Sequence, residues 1–172
     1  DANIRTQLTL FVSEPWRSRL DAIRSALDPV QASLIAPHVT LCREDELEGM
    51  THSSLFGRVE SWTMGPLCLA FGRPTRCDGH GVFLPCEQGM GQFQSLRRWV
   101  LQDHGAREHG AHLTMAHPRN PRSAGNTDAA LAACPQALEL RFASVALVVQ
   151  RGAAPWMLVQ ESGLGSTALG VA

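Results

Sequence analysis

The apolar positions change period along the chain, and each change marks an element. Residues 6–12 run from polar to apolar and predict a strand. Trp16, Leu20, Ile23 and Leu27 then recur at helical spacing, with Pro15 suited to a first turn, Ser13 as a cap and Pro29 as the stop. Residues 37–42 predict a short strand, the spacing of Leu55, Val59 and Trp62 a helix, residues 67–73 a strand and residues 74–81 a turn.

The second half repeats this order. Residues 81–85 predict a strand, and Phe93, Leu96, Val100 and Leu101 a helix that starts near Gly89. A strand over 111–116, a loop over 118–125 and a short Ala-rich helix over 128–134 come next. Two final strands, 138–150 and 156–161, flank a turn at 151–155, and the small-residue tail after Ser162 is expected to be loose. Strand, helix, strand, helix, strand, twice over, predicts an α+β fold. Lobes repeated in this order and related by a rough two-fold axis would bring equivalent strands face to face across a groove. At 172 residues these lobes form a single bilobal domain, 1–172.

Two short strands carry the same polar signature. His38-Val39-Thr40-Leu41 and His112-Leu113-Thr114-Met115 lie 74 residues apart, at equivalent places in the two halves. Alternate strand residues share a face about 6.5–7 Å apart, so each His projects with its Thr while the apolar residues turn to the core. With seven His and nine Thr in the chain, chance supplies roughly 0.4 His-x-Thr triplets, and about 0.07 with apolar residues at both other positions. One such motif is unremarkable; two in matching contexts are not. If the strands share a groove, two imidazoles and two hydroxyls converge on a phosphate-sized space. A neutral His can accept a proton from water and a protonated His can donate one to the leaving oxygen. The hydroxyls would stabilise the charge on phosphorus-bound oxygens.

Paired His-x-Thr motifs in the two halves of a chain this size resemble the 2H phosphoesterase superfamily, in particular its bacterial 2′-5′ RNA ligase-like branch. The resemblance implies an α+β fold of two pseudo-symmetric lobes, each an antiparallel sheet with helices packed outside, with a central cleft. It also implies catalysis by His38 and His112 and phosphate binding by Thr40 and Thr114. The implied reaction is metal-independent hydrolysis of 2′,3′-cyclic phosphates, on nucleotides or RNA ends, to 2′-phosphomonoesters. The alternatives are ATP-independent 2′-5′ ligation at the same site and a non-catalytic nucleotide-binding module. Relatives often carry a basic residue five positions after one motif His; here Arg43 and His117 occupy those offsets and become candidate phosphate ligands.

Composition narrows the chemistry. The chain has no Lys, so all fifteen basic side chains counted with it are Arg, and a Schiff-base, P-loop or lysyl-adenylate mechanism is excluded. Tyr is absent as well, which removes a phenolic acid or base. A net charge of −1 argues against a grip on long duplex nucleic acid, because backbone contacts demand a basic excess. Five scattered Cys without a C-x-x-C pattern, no apolar stretch of membrane-spanning length and no signal-peptide layout at the first residues predict a cytoplasmic monomer with no membrane partner. No cofactor or metal is expected.

Other constellations compete less well. His104, His109, His112 and His117 crowd one segment, but their spacing is not a recognised zinc pattern and leaves His38 unexplained. The acidic residues Glu44, Asp45, Glu46 and Glu48 suit the start of a helix. Gly89-Met90-Gly91 could hold a phosphate at a helix start, but a tight turn is the simpler expectation. Trp156 and Phe83 offer stacking surface for a base, with core packing the simpler expectation for Trp156.

Overall fold

The computed structural model describes residues 3–76, 81–117 and 128–165. Its strands are β1 (Ile4–Phe11), β2 (His38–Cys42), β3 (Leu67–Phe71), β4 (Thr75–Arg76), β5 (Val82–Gln88), β6 (His112–Ala116), β7 (Leu138–Phe142), β8 (Ser144–Arg151) and β9 (Met157–Gly163). Its helices are α1 (Trp16–Leu27), α2 (Pro29–Leu34), α3 (His52–Glu60), α4 (Met90–Leu101) and α5 (Asp128–Ala133). The expected loop at 118–125 and most of the tail lie outside the described residues, as does part of the turn at 74–81.

The strands join in one antiparallel, strongly curled sheet of order β7-β3-β5-β6-β2-β1-β8-β9, with β4 beside β5. Irregular pairing falls at Leu8/Thr9 of β1 and Val82/Phe83 of β5. Such bulges increase local twist and re-aim a strand, and these two sit on the strands that flank β2 and β6. Leu20 and Leu27 of α1, Leu55, Phe56 and Val59 of α3, and Phe93, Leu96 and Val100 of α4 pack into one core with the apolar strand positions.

The two halves form equivalent units, β1-α1-β2 and β5-α4-β6, that meet where β2 pairs with β6. The lobes do not coincide with the chain halves, however. β3, from the first half, pairs with β5 and β7, whereas β8 and β9, from the second, extend the sheet beyond β1. Each half therefore lends strand to the other's lobe.

Three local expectations need correction. The strand expected over 138–150 divides at Ala143 into β7 and β8, which join opposite arms of the sheet. Pro29 does end α1, but it also opens α2, where its missing N–H costs nothing and Asp28 accepts from the Gln31 amide at 3.2 Å. Ser13 does not cap α1; the Glu14 carboxylate accepts from the Ser18 amide at 3.2 Å and the Ser18 hydroxyl at 2.6 Å.

Candidate active site

The β2–β6 junction sets the geometry of both motifs. Val39 and Leu113 are Cα partners in an antiparallel pair, and both are fully buried. On the face opposite these two residues, His38 and Thr40 of β2 and His112 and Thr114 of β6 alternate with the buried positions. His38, Thr40, His112 and Thr114 all line one cleft of about 840 Å³.

The imidazoles are held alike. Nδ1 of His38 donates to the Ala36 carbonyl at 2.8 Å, and Nδ1 of His112 donates to the Gly110 carbonyl at 3.0 Å. A carbonyl only accepts, so Nδ1 carries the proton in each ring and Nε2 is left for chemistry. An aromatic edge contact orients each ring further: Phe11 meets His38 at 6.3 Å between centroids, and Phe83 meets His112 at 5.6 Å. Phe83 is therefore engaged with His112. Burial pushes the His38 pKa down from 6.5 to about 4; the Ala36 hydrogen bond opposes this, while the charges of Arg24, His112 and His117 add to it. The His38 ring is therefore neutral across the ordinary pH range.

Sequence reasoning missed what braces the motif strands. Arg24 of α1 and Arg97 of α4 are the largest fully buried side chains among the described residues. Each crosses to the other half. Arg24 Nε donates to the Thr114 carbonyl at 3.2 Å and Nη1 to the Ile35 carbonyl at 2.9 Å. Arg97 Nη1 donates to the Leu41 carbonyl and, at 3.1 Å, to the Glu46 carboxylate, while Nη2 donates to the Arg107 carbonyl at 2.8 Å. His109 donates from Nε2 to the Thr40 carbonyl at 3.4 Å, and burial, with the Arg97 charge, pushes its pKa to about 4. The signal was in the pattern: Arg24 follows Leu20 by four residues and precedes Leu27 by three, and Arg97 stands likewise between Phe93 and Val100. Both arginines lie on apolar stripes, where a charge needs a buried partner.

Arg43 and His117 also line the cleft. Arg43 is exposed, and among the described residues its guanidinium enters no ion pair; its backbone amide donates to Glu46 at 2.9 Å. The His117 amide donates to the buried Asp28 carboxylate at 2.9 Å. Glu44, Asp45 and Glu46 form a single 3-10 turn, and each meets an arginine, respectively Arg5, Arg107 and Arg97. The four-histidine segment does not converge: among the described residues no group of three or more His, Cys, Asp or Glu is placed to hold a metal ion. Gly89 is the tight turn, at φ +95, where a Cβ would meet the Cys68 carbonyl at 2.4 Å.

The arrangement has a counterpart among solved structures. Escherichia coli LigT complexed with NADP+ superposes with a TM-score of 0.65 at 13% identity, over 96% of this chain and 100% of LigT. The fold is that of LigT. TT0787 of Thermus thermophilus shares it, with a TM-score of 0.56 at 16% identity over 95% of this chain and 99% of its own. A protein described as a phosphoesterase does so with a TM-score of 0.55 at 12% identity, over 94% and 99%. No family model and no curated protein matches the sequence. The α+β fold, with its curled antiparallel sheet and helices, is thus LigT-like at very low sequence identity.

Proposed function

We propose that the protein is a phosphodiesterase of the 2H type that opens 2′,3′-cyclic phosphates of nucleotides or RNA ends to 2′-phosphomonoesters without a metal. The observation that carries this reading is the set of two Nδ1-anchored imidazoles and two hydroxyls that line one cleft. LigT structures holding phosphate and 3′-AMP support it by fold.

In this reading Thr40 and Thr114 donate to the non-bridging oxygens, and Arg43 and His117 sit further out toward the same charge. His38 Nε2 takes a proton from water as the water oxygen bonds to phosphorus. The P–O3′ bond breaks, and His112 Nε2 delivers its proton to O3′. Acid and base then hold each other's starting state, and solvent exchange resets them. Incubation of 2′,3′-cyclic AMP with the purified protein in EDTA should yield 2′-AMP. Neither turnover nor binding of cyclic nucleotides by the intact protein would sink the proposal.

The pH profile tests the assignment of His38 as base. Protonation of a base limits kcat/KM only below its own pKa in the free enzyme. With His38 pushed down to about 4, the acid limb belongs near pH 4 and not near 6.5. We expect kcat/KM to hold level as pH falls from 6.5 to about 5, with folding monitored by circular dichroism. A half-maximal loss near pH 6.5 in the folded protein would reassign the base.

A further inference from the structure

We infer that Trp156, backed by Arg5, forms a nucleobase platform at the end of the cleft away from the phosphate, so that the substrate is read as a nucleotide and not as a bare cyclic phosphate. The inference rests on the phosphodiesterase reading for its substrate but on separate residues for its content. Trp156 is half-buried and lines the cleft, against the expectation that it packs in the core. Its backbone amide donates to the Leu34 carbonyl at 2.9 Å, which ties the residue to the end of α2. The Arg5 guanidinium lies 5.3 Å from the indole centroid.

Arg5 is itself fixed. Its Nε donates to Glu44 at 3.3 Å and its Nη1 to the Gln150 side-chain oxygen at 3.3 Å. Its charge is thus matched by a carboxylate, which suits it to support a ring and not to compete for phosphate. Arg43, without such a partner among the described residues, keeps the anion-binding role. The cleft volume of about 840 Å³ far exceeds what a phosphate needs and falls in the range for sites that enclose a whole nucleotide-sized ligand. Gln7, two residues after Arg5 on β1, also lines the cleft, where its Nε2 donates to the Thr9 hydroxyl at 2.8 Å. A π-face accepts any base, so the platform selects for a base and only weakly among bases.

The test compares 2′,3′-cyclic AMP with methyl riboside 2′,3′-cyclic phosphate, which has the same reacting ring and no base. Trp156→Ala should raise KM for cyclic AMP about 5- to 150-fold, the span of base–aromatic stacking, with kcat little changed. It should leave the baseless substrate untouched, and Trp156→Phe should restore most of the loss. Equal damage to both substrates, or no change in either, overturns the platform. Calorimetry with 2′-AMP separates this from failure of the phosphodiesterase reading. If the intact protein binds 2′-AMP without turning over either substrate, weaker binding by Trp156→Ala upholds the platform alone. Unchanged binding removes it, and no binding by the intact protein removes both.

Discussion

Substitution of either His38 or His112 by alanine is expected to lower turnover of a 2′,3′-cyclic nucleotide in EDTA about 10²–10⁴-fold, the usual worth of one positioned acid or base. Neither motif can stand in for the other. Each ring is fixed by its own carbonyl two residues back and by one aromatic edge, and in the proposed reaction the other motif's imidazole makes the opposite proton transfer. Groups that act as a unit fail as a unit, so the double variant should lose little more than the worse single one. Both rings stand at the cleft, outside the apolar core, so thermal unfolding should move far less than activity does. Retention of a tenth or more of the activity in either single variant, with cyclic nucleotide saturating, would remove that histidine from the chemistry.

Arg97→Ala should destabilise the protein by about 3–5 kcal/mol, the usual cost of stripping one partner from a buried ion pair. Arg97 has no exposed surface, and the Glu46 side chain is 10% exposed. Burial alone would raise the Glu46 pKa, yet hydrogen bonds from Arg97 and the Arg43 amide, with the charges of Arg97 and His109, hold it below the usual carboxylate value. Removal of the guanidinium leaves that carboxylate uncompensated and frees the carbonyls of Leu41 and Arg107. For a chain of this length the loss corresponds to a fall in Tm of roughly 6–20 °C. Arg97→Met with Glu46→Met should fall less than Arg97→Met alone, because the stranded charge goes too. A single-variant shift under about 3 °C would show that the pair contributes little.

Much of this architecture was legible in the sequence because period and chemistry coincided. Val39 and Leu113 mark their strands as half-buried, and the same alternation puts His38 with Thr40 and His112 with Thr114. The helix positions Leu20, Leu27, Phe93 and Val100 were equally plain. Long-range partners were not. Nothing local in residues 138–150 announces that the chain leaves one arm of the sheet at Ala143 and joins the other, because both strands are apolar and extended. The braces Arg24 and Arg97 read as interruptions of an apolar stripe until the carbonyls they reach are known. Trp156 misleads for a related reason: an indole suits a core and a stacking surface equally, and only its place on the cleft wall distinguishes them.

The exchange of strands between the halves governs how the protein can fold. β1 carries Arg5 to the cleft and Phe11 to the His38 ring, yet its outer neighbour β8 pairs with it across nearly the whole sequence, as in Ile4 with Arg151 and Thr9 with Ala146. Such distant pairings close large loops before they return any contact energy, and they slow folding. During synthesis the first half emerges with β1 bare on one side and β3 waiting for β5 and β7. A half-length chain therefore leaves β1, β2 and β3 all with unsatisfied edges, which makes it an aggregation hazard with no foldable lobe of its own. The two halves match in the order of their elements, but the crossing of strands makes them inseparable.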